Sequence, residues 1–523
     1  MVKEITQFDR KAEYFTRLFD DYPRIIREKE RNLQKVADLF QKRFGEQAAW
    51  KKPILVSVPN RVELLGKHTD YQGGTTLLLT GPKNFFAIAL PAEDGASELV
   101  NADPALSNTV LKINGYDPVV LQSGVGGEYT RRVVERLSRN LRDAGLPPLR
   151  DVKAVFIGDV PFGGGTSGSS AKVITDFFIF TAAGGLLERA DFKNLILQNG
   201  QKAGIRLGQE GVDDFTLALS MYIAHYENGL DFGDLKGDKG VGTFGGSEDH
   251  TAILLGERNR LLLCRYCPTE VLKSLNIFKD HNVVVSYSGK KAQKTKEAMK
   301  KYNRLSALAV CAVETLNRIH GTRFSLLRDF YTELDPENRA KAAQDDVLYS
   351  TGDKELSDRV FQFYAEEFLI KKAVSCLGTA GRKKSGAADE KARRKTGRMA
   401  GGETGEKTAR KPGTNTGIER FGELITASHE LSKKYLKNIE PEIDRLVRIA
   451  IDLGAIGSTG FGAGFGGSCY AVVPKKGSTG SAEDFARAWE KRYLDRYPEF
   501  RGKAQFDEYP ACSGARIETL KGF

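Results

Sequence analysis

At 523 residues the chain is long enough for two or more domains, with a core well above the size at which disulfides become necessary. Its apolar share of 40% and charged share of 28% are those of a soluble globular protein, and six sparse, irregularly spaced cysteines suit reduced thiols in a reducing compartment. Of the net charge of +11, +7 falls in residues 378–416, eleven Lys or Arg against four acids, so the remainder of the chain lacks the basic excess of a nucleic-acid binder.

That basic segment is rich in Gly, Ala and Thr and nearly free of apolar residues, which predicts a disordered, solvated insertion. The first twenty residues, MVKEITQFDRKAEYFTRLFD, are densely charged without an apolar run, and the most apolar piece, Phe177 to Ala183, is too short to span a bilayer. A cytoplasmic protein with no membrane partner is expected. Nothing in the sequence fixes the oligomeric state, and a monomer is the default expectation.

In chain order, the spacing of apolar residues predicts one or two amphipathic helices over Phe8 to Phe44, then a strand over Pro53 to Leu65 broken at Pro59. A polar turn follows at Gly66 to Gly74, then strands at Phe85 to Leu90 and Leu99 to Leu111, a helix at Tyr129 to Ala144, and a strand at Val152 to Val160. Helices are expected at Lys172 to Leu187 and Asp214 to Glu227, and a Gly- and Asp-rich loop at Asp231 to Gly242. Strands at Leu261 to Cys267 and Asn282 to Ser288 precede a long helix from Lys290 and another at Asp353 to Cys376. Beyond the basic segment, Arg420 to Leu453 reads as helix, and strands near Gly464 and at Cys469 to Val473 close a second half. Cys264 and Cys267 form a CRYC pair, but no second pair stands at zinc-ribbon spacing.

The run Pro161 to Ala171, PFGGGTSGSSA, organises the chain. Gly163, Gly164, Gly165 and Gly168 leave backbone amides uncovered, and Thr166, Ser167, Ser169 and Ser170 add hydroxyls, which is the chemistry a phosphate requires. A helix starting just after it would add unpaired N–H groups and a favourable dipole. Pro59 to Gly74, PNRVELLGKHTDYQGG, clusters Arg61, Lys67, His68 and Asp70 around a turn, supplying donors and acceptors at fixed angles as sugar hydroxyls need.

The same stretch resembles the galactokinase signature GR-x-N-L-I-G-E-H-T-D-Y, with Arg61, Leu64, Gly66, His68, Thr69, Asp70, Tyr71 and Gly74 in place, and identifies the chain as a galactokinase-like member of the GHMP small-molecule kinases. PFGGGTSGSSA resembles that family's phosphate-wrapping motif, and GSTGFGAGFGGSC, Gly457 to Cys469, its third, Gly-rich motif. VGTFGGSEDHTAILLG, Val241 to Gly256, resembles the block VG-x-P-C-G-I-M-D-Q that carries the catalytic Asp, and FGELITASHELSKKY, Phe421 to Tyr435, resembles a family helix.

The resemblance implies a two-domain α+β fold, with a ribosomal-protein-S5-like N-terminal half over 1–268 and an α/β C-terminal half over 269–523, the basic segment inserted in the latter. It implies transfer of the γ-phosphoryl of ATP to the C1 hydroxyl of galactose or a related hexose, with Mg2+ as cofactor. Asp249 and Arg61 would be catalytic; Glu63, Lys67, His68, Asp70 and Gly464 would bind sugar; Gly163 to Ser170 would cradle the nucleotide phosphates; and Ser170 and Glu227 would hold the metal.

Several residues depart from the family pattern. Glu63 replaces Asn, Asn60 replaces Gly, and Lys67 stands where galactokinases carry the Glu that meets the sugar's 6-hydroxyl. Lys cannot accept a hydrogen bond, so a uronic acid such as galacturonate is an alternative substrate, its C6 carboxylate meeting Lys67. The phosphate loop has one extra residue, His250 replaces Gln and Thr459 replaces Arg, which leaves a catalytically weak sugar sensor as a further alternative.

Overall fold

The structure is a computed structural model that describes residues 2–5, 11–20, 22–48, 52–93, 95–161, 163–242, 245–291, 296–379, 417–476 and 480–520. The basic segment expected to be an insertion falls almost wholly outside the described residues, as do Phe162, Thr243 and Phe244 of the motifs. Among the described residues no helix is long and apolar enough to cross a membrane.

The first part of the chain runs β1 (Val2–Ile5), α1 (Lys11–Phe19), α2 (Pro23–Ala48), β2 (Ile54–Leu65), β3 (Thr75–Pro91), β4 (Ser97–Asn101), β5 (Thr109–Asn114), β6 (Asp117–Gln122), α3 (Gly127–Asp143), β7 (Val152–Gly158) and α4 (Gly168–Ala183). Then come α5 (Ala190–Lys202), α6 (Asp214–Asn228), α7 (Glu248–Leu255), β8 (Arg260–Arg265), β9 (Glu270–Asn276), β10 (His281–Tyr287), α8 (Lys296–His320), α9 (Pro336–Thr351) and α10 (Lys354–Thr379). The chain ends with α11 (Gly417–Leu431), α12 (Pro441–Asp452), β11 (Gly457–Gly460), β12 (Ser468–Pro474), α13 (Ala482–Arg496), β13 (Gln505–Glu508) and β14 (Arg516–Leu520).

Two sheets result. The larger has the order β1-β14-β2-β3-β7-β4-β5-β6, with β8 and β9 joined to the first half of β3; the smaller, all antiparallel, has the order β11-β12-β10-β13. The period-two alternation of β3 explains how both faces of the larger sheet are covered. Phe85, Ala87 and Ala89 pack with residues of α3, α4 and α6, whereas Phe86, Ile88 and Leu90 pack with Phe15, Phe19, Val36 and Phe40 of α1 and α2. Each of these buried aromatic or branched side chains contributes roughly 1.5–3 kcal/mol.

The expected boundary at 268 does not divide the sheets. β9 forms a hairpin with β8, and β14 at the end of the chain pairs antiparallel with β2, so the larger sheet takes strands from both sides of that position. A third core, with Val62, Leu64 and Leu77 from the larger sheet, Val285, Tyr470 and Val472 from the smaller and Ile370 and Phe421 from α10 and α11, joins the two halves.

The helix expected over Arg420 to Leu453 is interrupted. A short π turn over Ser432–Leu436 ends at Lys437 in the left-handed region, and α12 restarts with Pro441 at its first turn. Proline has no N–H to continue a helix and suits a first turn, so the chain must break before it. The strand expected near Gly464 lies earlier, at β11, and Gly462 to Gly467 form the turn that follows.

Candidate active site

The site is built where β2, the loop before α4, the start of α7 and the turn before β12 converge, and all of them line one cavity. Arg61 and Glu63 are two residues apart on β2, so both project to the same face. The β2–β3 register shifts between Pro59 and Arg61 and again between Glu63 and Leu65, a bulged geometry of the kind that re-aims side chains. Arg61 is nearly enclosed. Its Nε donates to Asp249 Oδ1 at 2.7 Å, Nη1 to the Gly165 carbonyl at 2.9 Å, and Nη2 to Glu248 Oε1 at 3.1 Å while standing 2.5 Å from Asp249 Oδ1.

The phosphate loop links β7 to α4, which begins at Gly168, one turn before the helix expected from Lys172. Gly163, Gly165 and Ser167 all take positive φ, and Ser167, the N-cap, makes no side-chain cap, so no hydroxyl closes the helix start that lines the cavity. Gly163 to Gly165 and Ser167 to Ser170 line the cavity; Thr166 does not, its side chain being buried behind the loop with Oγ1 enclosed.

Glu227 lies in the last turn of α6, and Asp249 lies in the first turn of α7. The loop between them closes on itself, with Asp238 N donating to Gly229 O and Val241 N to Glu227 O, so the chain returns close to where it left. Ser170 Oγ sits between the two carboxylates, 2.6 Å from Glu227 Oε2 and 3.2 Å from Asp249 Oδ2. His250, buried, places Nε2 3.2 Å from Glu227 Oε2.

The third glycine turn presses on the second. Ser468 Oγ donates to the Gly164 carbonyl at 2.5 Å, and a Cβ on Gly462 would stand 2.5 Å from the Gly165 carbonyl. The break before α12 supplies Asn438, whose carbonyl accepts from Phe465 N at 2.7 Å. Burial and the Arg359 guanidinium hold His68 down at about 3, leaving a neutral ring with Nδ1 on Tyr71 Oη at 3.2 Å and Nε2 on the Ala463 carbonyl at 3.3 Å. Burial, reinforced by Asp249, pushes Asp70 up to about 6.

Residues 38–89 match the galactokinase galactose-binding signature and residues 414–495 match the family described as GHMP kinases C terminal. A galactokinase of Enterococcus faecalis is 23% identical over 484 residues, 92% of this chain and 99% of that protein. In both segments the chain is similar to the galactokinases of the GHMP kinase family. The match to the Schizosaccharomyces pombe galactokinase, 23% identical over 285 residues, takes in 51% of this chain and about half of that protein, 48%. The crystal structure of Lactococcus lactis galactokinase complexed with galactose shares the fold, with a TM-score of 0.62 at 19% identity over 91% of this chain and 97% of that one.

The structure brings Arg61, Glu63, His68, Asp70, Glu227, Asp249 and Gly464 to the cavity but not Lys67. Lys67 is 1% exposed and points away, its Nζ donating to Ser428 Oγ at 2.5 Å, which in turn donates to Glu366 Oε1 at 2.8 Å. The expected meeting of Lys67 with a sugar carboxylate is therefore corrected: its charge is committed to a buried relay. Burial draws its pKa down against the pull of Glu366 and Glu63.

The residues that hold this loop were not found from sequence. Glu366 accepts from Gly66 N at 3.0 Å, Gln362 Nε2 donates to the Lys67 carbonyl at 2.9 Å, and Arg359 Nη2 donates to the His68 carbonyl at 2.6 Å. All three are fully buried on α10 at positions three and four apart. Polar residues recurring at helical spacing among Val360, Phe363 and Ile370 were the available signal. Glu366→Ala is expected to destabilise the fold by about 3–5 kcal/mol, because it leaves a buried ammonium and loop amides without their carboxylate. A shift in the urea midpoint measures this, and a loss below about 1 kcal/mol would mean the loop holds itself.

Proposed function

We propose that this chain transfers the γ-phosphoryl group of ATP to the anomeric hydroxyl of galactose or a closely related hexose. The observation that carries the reading is the Arg61–Asp249 pair, placed in one cavity with the glycine turns of two separate motifs. The high coverage of galactokinase relatives supports the choice of sugar.

In this reading Asp249, its carboxylate a quarter exposed, accepts the proton of the sugar hydroxyl, and Arg61 orients that carboxylate. The start of α4 and the turn at Gly163 and Gly165, which line the cavity, take the phosphate oxygens, fixed before the reaction so that little reorganisation is needed, while the Gly164 amide holds the loop by donating to the Pro161 carbonyl at 3.0 Å. Asp70 and the neutral His68 face the sugar. Hard oxygens of Ser170 and Glu227 stand close together, a donor set that fits magnesium, and these two residues would hold it. When bound, the ion supplies charge neutralisation at the β and γ phosphates.

The uronic acid alternative loses its basis. The cation it relied on, Lys67 Nζ, donates to Ser428 Oγ at 2.5 Å, and Lys67 does not line the cavity. Turnover on galactose, galacturonate, N-acetylgalactosamine and arabinose, with ATP and Mg2+, tests the assignment. Galactose is expected to lead and galacturonate to trail; galacturonate in front would overturn the reading.

A further inference from the structure

Glu63 and Glu248 line the cavity yet take no part in the transfer described above. They stand where the family pattern has Asn and Met. Glu63 is 2% exposed and Glu248 8%. Their carboxyl groups are neighbours, and Glu248 Oε1 accepts from Arg61 Nη2 at 3.1 Å. Glu63 Oε1 and Glu248 Oε2 are enclosed and meet no N–H or O–H donor among the described residues. Two adjacent buried carboxylates cannot both be ionised without a large penalty, whereas one proton between them gives the pair the donor it lacks.

We propose that Glu63 and Glu248 share a single proton and act as a positioning pair for Arg61, keeping its guanidinium seated on Asp249 and the Gly165 carbonyl. The kinetic consequence rests on the kinase reading; the shared proton does not. Facing Glu63 are Arg61, Lys67 and Glu366, and facing Glu248 are Asp70, Arg61 and Asp249. Loss of the proton would leave four carboxylates around one guanidinium and pull Nη2 toward Glu248, away from Asp249. The environment agrees: burial, against Arg61 and Lys67, pushes Glu63 up to about 7, and burial with Glu63 and Asp70 raises Glu248 well above the usual range.

The test uses the full chain as wild type, Glu63→Gln and Glu248→Gln. Infrared difference spectra between pH 6 and pH 9 are expected to show a protonated-carboxyl band in wild type that is reduced by one carboxyl in Glu63→Gln. With galactose and Mg2+–ATP, wild-type kcat is expected to fall by about tenfold from pH 6.5 to pH 8.5, and Glu63→Gln to flatten that ratio, since its amide donates to Glu248 at every pH. A proton held more tightly in the folded state stabilises below the unfolded carboxyl range and is lost as pH rises through about 7. The wild-type melting temperature should therefore fall relative to Glu63→Gln across that window. An unchanged band and an unchanged kcat ratio in Glu63→Gln would overturn the proposal, as would equal loss of activity at every pH with lower melting. If wild type phosphorylates none of the sugars, the kinase reading fails while the infrared band still decides the pair.

Discussion

Asp249→Asn is expected to lower kcat by roughly 10²- to 10⁴-fold, the range general-base groups supply, while changing KM for either substrate by less than about fivefold. The substitution keeps shape and volume. Its amide oxygen can still accept from Arg61 Nε, where the carboxylate does so at 2.7 Å, so the guanidinium need not move. What is lost is the basicity that takes the sugar's proton. The fold should hold, because two effects oppose each other. The Arg61–Asp249 attraction is weakened, but one charge is also removed from an acid-rich cavity in which Asp249 helps raise Asp70 and Glu248. Midpoints of urea unfolding within about 1 kcal/mol of wild type, together with the drop in kcat, would separate chemistry from stability. A variant with wild-type turnover would remove Asp249 from the mechanism. Equal inertness of both proteins with galactose still bound would leave a sugar-sensing scaffold.

What could be read from sequence follows the range over which each feature is determined. The phosphate loop and the block around Asp249 were legible because glycine spacing, a preceding strand and a following helix are local signals, and the structure seats both on one cavity. The Gly- and Asp-rich loop at Asp231 to Gly242 was legible for the same reason: it closes on its own ends. Lys67 was misjudged because its direction is set from α10 and α11, some 300 residues further on, where Glu366 and Ser428 wait for it. Arg420 to Leu453 read as one helix because its apolar spacing runs through Pro441; the break there delivers Asn438 to the third glycine turn. The pairing of β14 with β2 joins the end of the chain to its beginning, and nothing local in RIETL announces its partner.

The glycine turns offer the second large effect. Gly462→Ala is expected to raise KM for ATP by about tenfold or more and to cost roughly 2–4 kcal/mol of stability, the sum of two separable terms. The first is conformational. Gly462 holds φ at +74°, where an L side chain costs about 1–2 kcal/mol. The second is steric, since the new Cβ would stand 2.5 Å from the Gly165 carbonyl oxygen and 3.2 Å from its carbon, and backbone cannot swing aside as a side chain can. Gly165 must then shift, and the same carbonyl accepts from Arg61 Nη1 at 2.9 Å, so the loop and the Arg61–Asp249 pair are displaced together. Gly115, in the β5–β6 turn with φ at +59° and no atom within 4 Å of a built Cβ, isolates the first term. Gly115→Ala should lose about 1–2 kcal/mol with KM for ATP unchanged. If the two variants match in KM for ATP, contact between the second and third glycine turns does not shape the nucleotide site.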